Sequence, residues 1–174
     1  VTAPDVIGSY WTLARDVDVD ADVRPSPWPI EERVATAAEV GFSGVGLWHD
    51  DLERILEELT LTELRDLLDA HGIEHVELEF LNDWFVEPGD PRRAASDERR
   101  AWFFEAANAL DAVHLKVGNL NKTPCSVPRL AEAFDALCAD AADHGVGIAL
   151  EFTTGDPNLH TLDEAVSVVQ GSRE

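Results

Sequence analysis

The sequence predicts an α/β fold of about five βα units with parallel strands. Three observations predict it. Short apolar runs alternate with longer stretches of helical period along the whole chain. Cap and stop residues stand where one element must give way to the next. Hydrophobic residues make up 45% of the 174 and charged residues 28%, enough to bury a core around a sheet with right-handed crossovers.

The first strand is expected over Val6 to Leu13, followed by a Pro- and Asp-rich loop to Pro29. Pro29-Ile30-Glu31-Glu32 opens a helix with its acids at the positive end, and its apolar stripe is Ile30, Val34, Ala37 and Ala38. Gly41 stops it. Gly44 to His49 reads as the second strand. A helical stretch from Asp51 to about Ala70 follows, broken near Thr60, burying Leu52, Ile55, Leu56, Leu64, Leu67 and Leu68. His75 to Leu81 is the third strand. After a loop from Asn82 to Ala95, Ser96 is expected to cap a helix that buries Phe103, Ala106, Ala107 and Leu110. Ala112 to Gly118 is the fourth strand. Pro128 opens a helix whose stripe runs from Leu130 to Ala141 and includes Cys138. Gly147 to Thr153 is the fifth strand, and Thr161 caps a last helix, Leu162 to about Gln170.

Each unit uses roughly 35 residues, so eight would need about 250–300, the size of a (β/α)₈ barrel. An open doubly wound sheet also fits the length, but no first βα turn carries a Gly-rich phosphate loop.

Acids outnumber bases 35 to 13, for a net charge of −22. Such a surface repels phosphate backbones, so no nucleic-acid partner is expected. No apolar run is long enough to span a membrane, and no basic region followed by an apolar stretch marks a secretory signal. A cytoplasmic location is the resulting expectation. Cys125 and Cys138 are too few for a disulfide scaffold or a cysteine zinc site.

The chemistry sits on the last three strands, which alternate with period two. Val76, Leu78 and Phe80 share one face of the third strand; His75, Glu77 and Glu79 share the other. The fourth strand sets Val113, Leu115 and Val117 against His114 and Lys116. The fifth sets Ile148, Leu150 and Phe152 against Glu151. Covering helices need the aliphatic faces, so the ionisable set turns to the other side of the sheet. Buried charges must be paired, hydrated or metal-bound. Glu79, Lys116 and Glu151 stand near strand C-termini, where parallel α/β proteins place their active sites, and are expected to form one polar cluster. His49 closes the second strand beside Asp50 and Asp51. Trp11 and Trp84, at strand ends, are candidate pocket walls or core rings.

The segments SYWTL, PIEERVATAAEVGFSGVGLWHDDLE, HVELEFLNDWF, RRAASDERR, HLKVGN, GIALEF and TLDEAVSVVQG together resemble the sugar phosphate isomerase/epimerase group of the xylose isomerase-like TIM barrels. The resemblance implies a partial (β/α) TIM barrel, a single domain over 1–174, truncated before strands six to eight. It also implies a divalent metal cation (Mn, Mg, Co or Zn) at the barrel mouth. The family's ligands are a Glu on the fifth strand, an Asp on the sixth, a His on the seventh and a Glu on the eighth. The first maps to Glu151; the others would follow Gln170. One carboxylate does not hold a cation, so this chain is expected to bind none tightly.

The implied activity is metal-assisted proton transfer alpha to the carbonyl of a small sugar or polyol. Glu151 would ligate the metal and move the proton, while His49 and Lys116 would orient hydroxyls or the oxyanion. Glu79, Trp11, Trp84 and Asn119 are the expected substrate-binding side chains. No residues here point to a phosphate. A different class of reading is a catalytically silent half-barrel, or an assembly module that pairs its open strand edges with another copy as a homo-oligomer. An endonuclease IV-like repair enzyme needs a His- and acid-rich three-zinc cluster. This chain offers Glu79 and Lys116 where further ligands belong, and its charge opposes DNA.

The surplus of acids fits either salt adaptation or an ordinary acidic cytosolic protein, and salt dependence separates the two. Thermal melts across KCl concentration should show a melting point that rises steadily with salt as self-repulsion is screened. A melting point indifferent to salt would remove the halophilic reading.

Overall fold

Strand and helix signals alternate along the sequence, and the backbone alternates with them. The computed structural model describes residues 5–18, 24–153 and 155–171. Five parallel strands form one sheet in the order β1-β2-β3-β4-β5. They are β1 (Ile7–Gly8), β2 (Gly44–Trp48), β3 (His75–Leu81), β4 (Ala112–Val117) and β5 (Ile148–Leu150). The helices are α1 (Tyr10–Leu13), α2 (Ile30–Glu39), α3 (His49–Ile55), α4 (Leu61–Ala70), α5 (Pro91–Leu110), α6 (Val127–Asp143) and α7 (Leu162–Gln170). Sequential strands lying side by side with helices between them is the α/β arrangement expected.

The ends of the helices explain their positions. Thr60 and Glu63 form a reciprocal capping box at α4, and Thr161 and Glu164 form another at α7. Ser126 accepts from the Arg129 N–H at the start of α6. Gly72 and Gly145, with φ of 70° and 72°, turn the chain out of α4 and α6 toward the next strands.

Two units divide the chain: Val1–Glu79 with Ala106–His114, and Phe80–Glu105 with Leu115–Glu174. In the first, β2 and β3 run in register from Gly44 against His75 to Trp48 against Glu79. Val34, Leu47, Leu52, Leu64, Leu68 and Leu78 fill its core. In the second, Leu115, Lys116 and Val117 pair with Ile148, Ala149 and Leu150. Its core is richer in rings, with Trp84, Phe85, Phe103 and Phe134 all buried.

Several boundaries differ from the sequence reading, each for a local reason. The first strand is shorter than Val6 to Leu13, because Tyr10–Leu13 is a helical turn. His49 does not end the second strand; Trp48 is the N-cap and His49 starts α3. Ser96 is not a cap. Helix α5 begins earlier, at Pro91, where the Asp90 carboxylate accepts from the Arg92 N–H at 2.9 Å. Ser96 is buried inside the helix and its hydroxyl donates to the Asn82 carbonyl at 2.7 Å. The fifth strand is three residues long, not seven, although the Glu151 N–H still donates to the Val117 carbonyl at 2.8 Å.

The stripe of α2 holds a charge that the periodicity did not show. Arg33 is buried with Ile30, Val34 and Ala37, whereas Ala38 is half-buried. The Arg33 guanidinium meets the Asp51 carboxylate of α3 at 2.8 Å, with the two side chains 4% and 2% exposed. Asp51 also accepts from the Ser26 N–H at 2.8 Å. Removing one member of a buried pair leaves the other charge uncompensated. Arg33→Met should therefore lose about 3–5 kcal/mol in urea unfolding, and adding Asp51→Leu should recover part of that loss.

Candidate active site

The C-terminal ends of parallel strands are where loops and helix starts bring side chains together. In the first unit that place is built by β1, β2 and β3. Glu79, near the end of β3, is 2% exposed, and its Oε1 accepts from the Tyr10 N–H at 3.1 Å. Gly46 makes this possible. A Cβ there would lie 2.2 Å from the Glu79 Oε1 and 2.8 Å from the Tyr10 nitrogen. The glycine is required by close approach, not by an unusual φ.

Aromatic rings gather around that contact. Tyr10 and Trp48 stack at 6.1 Å, and Trp11 lies 5.2 Å from each of them. Trp48 is buried, whereas Trp11 is 37% exposed. The His49 ring lies 4.9 Å from Trp48, and its Nε2 is 3.2 Å from the Asp50 carboxylate. Burial, reinforced by the nearby Asp51 charge, pushes the Tyr10 phenol well above its ordinary pKa. It stays protonated and donates to the Arg24 carbonyl. Deeper on the strands, His114 of β4 contacts the Glu77 carboxylate of β3.

The second unit holds the other candidates. The Lys116 Nζ of β4 lies 3.3 Å from the Glu151 Oε2, with Lys116 15% and Glu151 40% exposed. The loops past β3, β4 and β5 are stitched by amides and carboxylates. Asn119 donates to the Thr123 carbonyl and the Asp156 carboxylate and accepts from the Thr123 N–H. Asn158 donates to the same Thr123 carbonyl, and Asp83 accepts from the Thr123 hydroxyl at 3.0 Å. Asn119 thus has its side-chain groups engaged in loop structure. Trp84 is 2% exposed, and its Nε1 donates to the Gly118 carbonyl at 3.1 Å. The gap bounded by Trp84, Asn119, Glu151 and Leu159 holds about 10 Å³, too little for a sugar.

The structure therefore brings Lys116 and Glu151 together, and places Glu79, Trp11 and His49 around the Tyr10–Trp48 aromatic group. Sequence reasoning missed Tyr10, Arg24 and the Thr123-centred network. Asn and Asp recurring just past successive strands was the available signal for the network. Among the described residues no group of three or more His, Cys, Asp or Glu side chains gathers as a metal cage. Glu151 is a single carboxylate already facing an ammonium, so the residues present do not fit a divalent cation.

Comparison with known proteins now has a geometry to meet. A family model described as the xylose isomerase-like TIM barrel matches residues 34–173. No curated protein matches the sequence. Among solved structures, a xylose isomerase domain containing protein from Salmonella typhimurium matches with a TM-score of 0.76 at 15% identity, over 95% of this chain and 56% of that one. The IolI protein with a bound zinc atom matches with a TM-score of 0.73 at 15% identity, over 98% and 60%. A D-psicose 3-epimerase with D-tagatose, from Clostridium cellulolyticum, matches with a TM-score of 0.68 at 16% identity, over 94% and 58%. Other matched structures are titled as a probable dehydratase and as an AP endonuclease, so the likeness is one of fold. This chain spans under two thirds of the length of each of the three.

The Gly46 contact gives the test of the first unit. Gly46→Ala should destabilise by about 1–3 kcal/mol, because its Cβ must displace either a buried carboxylate or the backbone of the Tyr10 turn. Chemical denaturation that finds no change would show that the Glu79 carboxylate is free to move.

Proposed function

The chain belongs to the xylose isomerase-like TIM barrel family, and from that premise we propose that it handles a small sugar or polyol, moving a proton alpha to the carbonyl as an isomerase or epimerase. The observation that carries this reading is the Lys116–Glu151 pair at 3.3 Å near strand C-termini. The more exposed carboxylate is suited to take a C–H proton made acidic by an adjacent carbonyl. The less exposed ammonium is suited to stabilise the enolate oxygen that forms. The carboxylate regains its charge when the proton is given back to the same carbon, or to the neighbouring carbon as that carbon's oxygen becomes the carbonyl and its hydroxyl proton passes to the first oxygen. The ammonium keeps its charge throughout.

Trp11, 37% exposed, suits a sugar C–H face, while Glu79, 2% exposed and held by the Tyr10 N–H, supports the aromatic group from within. His49, close to Asp50, suits a hydroxyl-orienting role. For Trp84 and Asn119 the reading is narrower: both shape the loops beside Glu151. Glu151 is the residue that the reading would also give to a Mn, Mg, Co or Zn ion. Since one carboxylate does not make a cage, no proton movement proposed here is routed through a metal.

A second reading has its own observation. Leu162, Val166 and Val169 lie at helical spacing on α7 and are 67%, 40% and 43% exposed. A silent module that assembles through this face as a homo-oligomer would suit that stripe. Light scattering separates the readings, since a clean monomer argues against assembly. The endonuclease reading is opposed by the charge of −22, which repels a phosphate backbone.

The direct test of the sugar reading is solvent exchange. Incubation of D-psicose or D-tagatose with the protein in D₂O should place deuterium at the carbon next to the carbonyl, followed by proton NMR. Glu151→Gln should slow exchange by about 10²–10⁴-fold, and Lys116→Met should slow it without unfolding the chain. Exchange that is unchanged in both variants would overturn the roles given to the pair.

A further inference from the structure

We propose that Trp84 is a positioning residue for Glu151, acting through the carbonyl of Gly118 and not by touching substrate. The proposal rests on the sugar-handling reading and deepens it, since it names what holds the proton carrier beside the ammonium.

Glu151 lies just beyond the last assigned pair of β4 and β5. Lys116 stands opposite Ala149 and Val117 opposite Leu150, so the next pair in that register is Gly118 with Glu151. The Glu151 N–H donates to the Val117 carbonyl at 2.8 Å. Gly118 is tied the other way. Its N–H donates to the Leu81 carbonyl of β3 at 3.2 Å, and its carbonyl accepts from the Trp84 Nε1 at 3.1 Å. Both backbone groups of Gly118 are thus held by the end of β3 and the turn after it. Glu151 is packed directly against this residue. A Cβ on Gly118 would stand 2.7 Å from the Glu151 carbonyl oxygen and 2.5 Å from the Phe80 Cζ, closer than carbon contacts allow. Where Gly118 is held therefore decides where the Glu151 backbone can lie.

The donor that holds Gly118 is itself immobilised. Trp84 is 2% exposed, and its ring meets Phe85 and Phe134 edge-on, at 5.2 and 5.9 Å between centroids. A ring packed in this way cannot follow a carbonyl that drifts, so the carbonyl stays where the indole N–H meets it. Without that donor a buried carbonyl keeps its desolvation cost and turns to find another partner. The gap beside Trp84, about 10 Å³, admits no sugar, so its ring has no substrate to wall. Lys116 is already fixed in the ladder opposite Ala149. The 3.3 Å between its Nζ and the Glu151 carboxylate then depends on what fixes residue 151. That is the Trp84–Gly118 contact.

Carbodiimide coupling reads this geometry without any reaction on a sugar. The reagent activates a carboxylate, a touching amine displaces it, and an amide between Lys116 and Glu151 reports their contact. Lys122 is the only other lysine, so mass spectrometry identifies the linked peptides cleanly. The parent should form the link. Trp84→Phe keeps a packed ring and loses the N–H, and should lower the yield about threefold or more. In deuterium exchange the same variant should lose about tenfold or more in kcat with KM unchanged, whereas a tryptophan in contact with substrate would raise KM. Leu137→Ala opens a cavity under α6 and removes neither bond of Gly118. It should lower the melting temperature at least as much and leave the link intact. Gly118→Ala should also lose the link, and adding Phe80→Leu, which clears the ring but not the Glu151 carbonyl, should recover stability without recovering the link. Should Gly118→Ala fail to fold, Trp84→Phe decides the matter. A link absent from the parent, unchanged in Trp84→Phe, or lowered equally by Leu137→Ala overturns the proposal. The sugar reading fails separately, when the parent forms the link and exchanges no deuterium.

Discussion

A carboxylate sealed from water constrains everything near it. Glu79 is 2% exposed, and an ionised group in that position costs several kcal/mol unless donors meet it. One donor is the Tyr10 N–H, at the start of α1, where the first N–H groups of a helix lack partners within the helix. Satisfying Glu79 therefore goes together with turning the chain after β1 into a helix instead of continuing it as a strand. Gly46 is the matching constraint on β2, because any side chain would fill the space the carboxylate occupies. The turn sets Tyr10 and Trp11 against Trp48 and so builds the aromatic side of the candidate site.

Charge is used sparingly inside and lavishly outside. The chain carries −22 overall, yet the buried Arg33–Asp51 pair couples α2 to α3 with each partner nearly inaccessible. Such a pair is weak evidence of net stabilisation, since desolvation offsets much of the attraction. Its use is orientation. Asp51 also takes the Ser26 N–H, tying the end of the loop before α2 to the helix after β2. That tie is made two residues beyond Arg24, whose own backbone is held by the adjacent Asp50. Two neighbouring carboxylates on one helix start thus fix both ends of the short segment from Arg24 to Ser26.

Elements whose signals are local were legible in the sequence. The third strand and the last helix fall where alternation and the Thr161 cap place them, and α5 buries the predicted Phe103, Ala106, Ala107 and Leu110. Elements decided by distant groups were not. Tyr10–Leu13 has strand-like residues, but Glu79, far along the chain, decides its form. Ser96 looks like a cap until the Asp90–Pro91 pair is seen to start the helix first. Arg33 sits on an apolar stripe only because Asp51 answers it. In the site, polar positions on strands were readable from parity. The Thr123 network was not, since loop amides carry no period.

The network bears on how the proposed roles of Lys116 and Glu151 are divided. Lys116 lies within the ladder of β4 and β5, while Glu151 lies one residue past the assigned end of β5 and keeps a single sheet hydrogen bond. Below it, Asn119, Thr123, Asp156 and Asn158 hold the surrounding loops by side-chain bonds that need no regular structure. A lysine fixed in a ladder and 15% exposed is suited to wait as a stationary charge. A carboxylate just past a strand end and 40% exposed is the one of the two that a substrate carbon could approach in the proposed reaction. In the proposed proton transfer, charge developing on the substrate oxygen is best met by an ion already in place. The asymmetry of exposure, not the residue types alone, therefore favours Glu151 as the proton carrier and Lys116 as the electrostatic anchor.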